Sequence, residues 1–265
     1  MSSGRPVGQR TCDCLFCRTT DQSAFTRVEH PIPESLGNDD LTLPLGVVCD
    51  RCNQYFGAKV ESSVLARPPF GVERVGQAIL TKKGKHPKYD EKGLSLLSTG
   101  FWDQVLVIVP DISDRTKAER LLSSPGIFYP EAVAPGHTEL LVRFLLKVGL
   151  ELASLADGVN PYDSGFDAAR KCARFGDAAR HWDFGYGLYP RRRDLKLSSR
   201  VDEFGPLETR QLYQYEMGIM PSGDLVFCFV FVTHVFACNL NRPFIAEYLL
   251  GFNSINDFTL KSRWH

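Results

Sequence analysis

An excess of charge of one sign is the first thing this chain lacks: 31 lysines and arginines are matched by 31 aspartates and glutamates, for a formal net charge of +0 at pH 7. No global positive field marks the chain as a nucleic-acid binder, although local basic patches can survive within a neutral total. Long apolar runs are missing too. Nothing approaches the roughly 18 residues that a membrane span needs, and Met1-Ser-Ser-Gly-Arg5 lacks the apolar core of a secretory signal. The expectation is a cytoplasmic protein with no membrane partner. There is no internal repeat, no low-complexity tract, no glycine-rich phosphate loop of the nucleotide-binding type and no nucleophile elbow. The 43% hydrophobic and 23% charged residues exclude a disordered tail or a fibre.

Cysteine, by contrast, is plentiful and unevenly placed. Five of the eight lie in the first fifth of the chain (Cys12, Cys14, Cys17, Cys49, Cys52), while Cys172, Cys228 and Cys238 sit in apolar stretches and read as small core residues. Cytosolic thiols stay reduced, so clustered cysteines there more often hold metal than form disulfides. Cys14-x-x-Cys17 and Cys49-x-x-Cys52 are two knuckles, and each two-residue gap lets both sulfurs face one ion at about 2.3 Å. They are expected to form a closed tetrahedral site for structural Zn²⁺, stapling a segment too small to fold alone. Cys12 offers a third thiol beside the first knuckle; spacing favours Cys14 and Cys17, with Cys12 as a spare.

The organisation expected is α+β in three parts. Residues 10–66 form a small metal-stapled unit, 67–100 a linker or basic connecting segment containing Lys82 and Lys83, and 101–265 a mixed α/β domain. In the last part, Gln104–Pro110 reads as a buried strand and Thr138–Ala156 as an amphipathic or buried helix with Thr138 as its cap. A second helix runs over Phe166–Phe175 and stops at Gly176. Arg210–Met220 and Leu225–Cys238, joined by Pro221-Ser-Gly-Asp224, read as a hairpin or meander.

A four-thiolate zinc has no open position and cannot activate water, so chemistry needs a second site. Between the knuckles lies Glu29-His30-Pro31-Ile32-Pro33-Glu34-Ser35-Leu36-Gly37, and Asn53 follows the last thiol. With Cys14, Cys17, Glu29, His30, Cys49, Cys52 and Asn53 in this order, Gly57 downstream and Pro33 and Leu36-Gly37 between, the first quarter of the chain resembles the zinc-stapled branch of the HNH endonucleases, as in phage endonuclease VII and bacterial HNH proteins. The resemblance implies a ββα-metal fold, with Glu29 and His30 on a hairpin and a helix beginning near Asn53. It also implies a reaction, hydrolysis of DNA phosphodiesters, in which the first residue of the acid-His pair binds the ion and the second activates water. Glu29 and Asn53 bring oxygen ligands suited to Mg²⁺ or Mn²⁺, and His30 brings a base available near neutral pH.

The pattern departs from the family in two places. Asn53 replaces the final histidine, as in the endonuclease VII branch. Asn38 is the one asparagine available for the middle position that orients the base, and it also suits a plain turn. Glu61 reads as a surface carboxylate in preference to a partner of the site. Taken singly, Glu29 as a loop acid, His30 as a structural histidine and Asn53 as a helix cap are ordinary; His137 and His234 read as core or surface residues.

The basic segments Lys82–Lys92 and Arg170 to Arg200, the latter with Arg191, Arg192 and Arg193 and interleaved aromatics, are candidate DNA contacts, although a solvated basic loop over an aromatic core is the preferred reading of the second. The leading expectation is a metal-dependent DNA endonuclease of restriction or phage defence, with target choice by the C-terminal domain and twofold cutting natural for a homodimer. The competing expectations are a noncatalytic zinc module that binds nucleic acid or protein and, less favoured, an RNA-cleaving enzyme.

Overall fold

The structure is a computed structural model that describes residues 12–81, 83–91, 94–100, 105–108, 137–188, 198–202, 205–209, 212–245 and 261–262. It is α+β. The N-terminal 12–49 stretch is built of loops and short 3₁₀ turns at Gln22–Ala24 and Glu34–Leu36. The extended pair implied by the resemblance is joined by Leu43 N–H donating to the Glu29 carbonyl at 2.8 Å, and no strand is formed there among the described residues. Helix α1 (Asp50–Tyr55) starts directly after Cys49, three residues before Asn53, and runs through a π-helical stretch, Phe56–Glu61, into α2 (Ser62–Leu65).

The segment expected as a connection holds α3 (Phe70–Gly76) and strands β1 (Lys88–Glu91) and β2 (Leu94–Ser98). With β3 (Val105–Ile108), inside the strand expected at 104–110, these form a three-stranded antiparallel sheet. Next comes α4 (Thr138–Ala153), where the long helix was expected, although His137 occupies the cap and no side chain caps it. Every residue from Leu141 to Ala153 except Arg143 is buried. A helix apolar on nearly all sides belongs in a protein centre and not on a surface. Helix α5 (Asp167–Phe175) ends at Gly176, whose φ of 82° places it in the left-handed region that glycine tolerates at a helix C-terminus.

The main sheet has the order β10-β4-β9-β8-β7, antiparallel throughout: β4 (Gly185–Leu188), β7 (Tyr213–Ile219), β8 (Leu225–Phe231), β9 (His234–Asn239) and β10 (Lys261–Ser262). A separate hairpin pairs β5 (Ser198–Asp202) with β6 (Gly205–Thr209). The β7–β8 turn falls on the Pro-Ser-Gly-Asp sequence, with Gly223 at φ 84°.

Helix α4 lies on this sheet. Phe70 of α3 meets Phe144, Phe231 and Phe236, each with ring centroids 5.5 Å away. Gly149 is the point of closest approach, because a Cβ there would stand 2.9 Å from the Phe227 ring and 2.8 Å from Leu240. One continuous hydrophobic cluster runs from Leu15 through Phe56, Phe70 and Phe144 to Phe229 and Leu240, so the cysteine-rich segment and the C-terminal sheet share a core. Cys172, Cys228 and Cys238 are buried in the C-terminal part, as their apolar surroundings suggested.

His137, at the start of α4, is 2% exposed, and neither ring nitrogen has a hydrogen-bond partner among the described residues. Burial, with the charge of Arg67 nearby, pushes its pKa down from 6.5 to about 4. A depressed histidine supports the fold above its unfolded pKa, and that support is lost as pH falls from 6.5 through 4, a difference of about 3 kcal/mol by linkage. Denaturant titrations of wild type and His137→Leu across this range are expected to show a steeper acid loss in wild type by that amount.

Candidate metal centre and active site

The sulfurs of Cys14, Cys17, Cys49 and Cys52 all lie within 4.8 Å of one another, with Cys17 and Cys49 at 3.5 Å. A tetrahedral zinc with bonds of about 2.3 Å needs its sulfurs about 3.8 Å apart, so the four side chains fit Zn²⁺ as they stand. Cys12 is half-buried, lies against Gly46 and does not join the cluster.

Local backbone builds the site. In the first knuckle Arg18, at φ 62°, returns its N–H to the Cys14 carbonyl, and Cys14 N–H donates to Thr19. The second knuckle is the start of α1, where Cys52 and Asn53 N–H both donate to the Cys49 carbonyl. Leu15 N–H on the Val47 carbonyl and Asp13 N–H on that of Gly46 hold the two together. A hydrogen bond from Cys52 and several backbone donors draw the Cys14 thiol down to about 4, while burial pushes Cys49 up to about 11 and the Cys14 contact and burial raise Cys52. Four thiols this close cannot all ionise without a cation among them. Arg174 Nε donates to Cys52 Sγ at 3.3 Å while its guanidinium lies 3.7 Å over the Tyr55 ring.

Between the knuckles, residues 26–32 are gripped from several sides. Asp50 at the head of α1 accepts from Thr26 and Arg27 N–H, each at 3.0 Å, and from the Thr26 hydroxyl at 2.6 Å, contacts that hold its carboxyl below the usual range. One turn on, Asn53 Nδ2 donates to the Val28 carbonyl at 3.2 Å. Asn38, fully buried, donates from Nδ2 to the carbonyls of Ile32 (2.7 Å) and Leu41 (2.9 Å), and its Oδ1 accepts from Leu41 N–H and the Tyr213 hydroxyl. Asn38 therefore clamps the loop after His30 and ties it to β7; its hydrogen bonds do not reach the imidazole. The group that meets the His30 ring is Glu34, whose Oε1 is 3.2 Å from Nε2, while His30 Nδ1 is buried with no hydrogen-bond partner among the described residues.

Glu29 is 7% exposed and contacts Lys147 of α4, Oε1 to Nζ 2.6 Å. The same ammonium meets Glu61 at 2.9 Å and Glu151 at 3.0 Å, and donates to the carbonyls of His30 (3.2 Å) and Pro31 (3.3 Å). Burial alone would strip its proton, but the pull of Glu151, Glu29 and Glu61 outweighs this and keeps Lys147 charged. Glu151, wholly enclosed, is pushed upward by burial despite Lys147. Glu61, expected as a surface acid, is thus a partner of the Glu29 cluster.

Sequence reasoning missed Lys147, Glu151, Asp50, Glu34, Arg174 and Tyr213 as site residues. The detectable signal was Lys147 and Glu151 at i and i+4 within an otherwise apolar helix, a pair that burial forces to find partners. Two arginines of the basic stretch that begins at Arg170 turn inward. Arg170 is buried and bonds Pro161, Asp163 and Asp167, Arg174 serves the cysteine site, and Trp182 and Phe184 are core residues. Lys83, Lys171, Arg180 and His181 are exposed, whereas Lys82, Arg191, Arg192 and Arg193 lie outside the described residues. His234 is buried between Tyr186 and Glu73, Nδ1 to the hydroxyl 2.9 Å and Nε2 to Glu73 Oε1 3.2 Å.

Set beside known families, residues 14–67 match the HNH endonuclease family model, with the cysteine cluster, the Glu29–His30 step and Asn53 inside the matched segment. The N-terminal part of this chain is an HNH endonuclease domain, a nuclease type, on a cysteine cluster that fits zinc. Neither the curated proteins nor the solved structures contain a match to the chain. No helix among the described residues is long and apolar enough to cross a membrane.

Two measurements check the site as built. Elemental analysis is expected to find about one zinc per chain in wild type and in Cys12→Ser, and a loss of zinc with unfolding of the N-terminal segment in Cys14→Ser. Asn38→Ala strands the buried carbonyl of Ile32 and the half-buried one of Leu41 and is expected to lower stability by about 1–3 kcal/mol in chemical denaturation.

Proposed function

We propose that the protein is a metal-dependent DNA endonuclease in which Glu29 and Asn53 hold a hard divalent ion, Mg²⁺ or Mn²⁺, and His30 is the general base. The single observation that carries this reading is the His30 ring itself. Glu34 takes Nε2, which places the basic lone pair on Nδ1, and Nδ1 is buried with no hydrogen-bond partner among the described residues, in the residue that follows the buried Glu29 within the family match. A buried nitrogen without a partner costs free energy, and the attacking water is the partner that this reading gives it.

The donor set suits the ion. Asn53 commits its Nδ2 to Val28, which leaves the carbonyl oxygen as its ligand atom, and Glu29 adds a carboxylate. When bound, the ion neutralises charge on the phosphate and the leaving oxygen. The protein supplies the rest: His30 Nδ1 accepts the proton of the attacking water, and Glu34 fixes the tautomer and stabilises the imidazolium that forms. Target choice then falls to the C-terminal part, because contacts to phosphate carry no sequence, and restriction of foreign DNA is a setting that suits such a division of labour. A noncatalytic zinc module is the second reading, and the contact already made between Glu29 and Lys147 favours it.

Plasmid nicking with Mg²⁺ or Mn²⁺ separates the two. Wild type is expected to cut, and His30→Ala to lose about 10²–10⁴-fold in rate with unchanged zinc content; equal inertness of both proteins would favour the binding module. Duplex DNA, single-stranded DNA and RNA of one sequence, assayed in parallel, test the substrate class, and cleavage confined to RNA would overturn the DNA assignment.

A further inference from the structure

We propose that Lys147 is a positioning residue of the nuclease site, so that the active centre is completed by a helix far outside the family-matched segment. The inference rests on the nuclease reading and deepens it. Lys147 belongs to α4, 80 residues beyond the end of the match at residue 67, and its side chain is wholly enclosed. Its ammonium reaches five oxygens, and three of these define the Glu29–His30 step: the Glu29 carboxylate at 2.6 Å and the carbonyls of His30 at 3.2 Å and Pro31 at 3.3 Å. The acid that would ligate the ion and the backbone that carries the base are therefore located by one point charge.

Location by burial alone would be served better by an apolar side chain, since a buried ion cluster is commonly no more stable than a hydrophobic replacement of the same volume. The charge has a use here. Lys147 engages Oε1 of Glu29, the arrangement in which a partner behind a ligating carboxylate orients it and leaves the second oxygen for the ion. Glu61 at 2.9 Å adds a second carboxylate to that of Glu29, so the ammonium does not leave the region net positive and hostile to a cation.

Lys147→Met by itself strands three acids, so the decisive variant is Lys147→Met/Glu151→Met, which removes the ammonium together with the wholly enclosed acid one turn along its own helix. The control is Arg143→Met. Arg143 also joins α4 to the N-terminal part, through the Tyr55 hydroxyl at 2.6 Å, without touching the Glu29–His30 step. All proteins are full-length and checked for zinc. The double variant is expected to keep its zinc and its cooperative melt, to lose about 100-fold in kcat with KM for plasmid changed less than about threefold, and to bind Mn²⁺ about tenfold more weakly by electron paramagnetic resonance titration. Arg143→Met is expected to stay within about threefold of wild type in both readings.

Equal losses in the double variant and in Arg143→Met would reduce Lys147 to docking and overturn the proposal. So would unchanged kcat and Mn²⁺ binding, or a rise in both, the last meaning that the lysine occupies the place of the ion. Should wild type cut no substrate, the nuclease reading fails by itself. The Mn²⁺ titration then decides the role of Lys147: weaker binding in the double variant supports it, and equal or absent binding overturns it.

Discussion

A buried ammonium has to be answered by buried acids, and in this protein the answer organises the molecule. Lys147 sits in the middle of the most enclosed helix, and the carboxylates that meet it come from the loop at Glu29, the π-helical turn at Glu61 and its own helix at Glu151. Stripping water from any of these ions costs several kcal/mol, and the cost is recovered only with all of them in place. The arrangement is consequently all or none. Because another face of α4 carries Phe144 and Gly149 against the sheet, the position of the N-terminal loop and that of the sheet are referred to the same helix.

The cysteine cluster solves a different problem. Residues 12–49 have little regular structure, and their ends are gathered where Cys14, Cys17, Cys49 and Cys52 converge. The cysteine cluster, which fits zinc, closes that loop, Asp50 and Asn53 tie its middle to α1, and Asn38 locks the turn that follows. The functional stretch is thereby fixed from the zinc side by local hydrogen bonds and from the core side by Lys147. This double grip lets a segment without a ladder of strands hold Glu29 and His30 in place.

The division also bears on the chemistry. Phosphodiester hydrolysis asks for a cation, a base and little else from the protein, and the residues proposed for these tasks, Glu29, His30 and Asn53, lie in the segment that matches the family. The C-terminal part contributes its interior to the site more than its surface: Arg170 and Arg174 turn inward, and Trp182 and Phe184 fill the core. Of the aromatics interleaved with the basic stretch from Arg170, Trp182 and Phe184 belong to the core, in line with the preferred reading of basic residues over an aromatic core, while Phe175 is exposed.

The sequence by itself determined what depends on short spacing. Two Cys-x-x-Cys pairs, an acid-His step and the asparagine after the last thiol were legible because a knuckle or a helix start brings such residues together within a few peptide units. The helix at 138, the helix stop at Gly176 and the β7–β8 turn were legible for the same reason, being set by local periodicity and backbone freedom. What only the tertiary structure decided is which charges share a burial site. Lys147 lies 118 residues from Glu29 in the chain, and a lysine in an apolar helix declares that it needs partners without saying which; desolvation makes the pairing compulsory, and three-dimensional packing selects Glu29, Glu61 and Glu151.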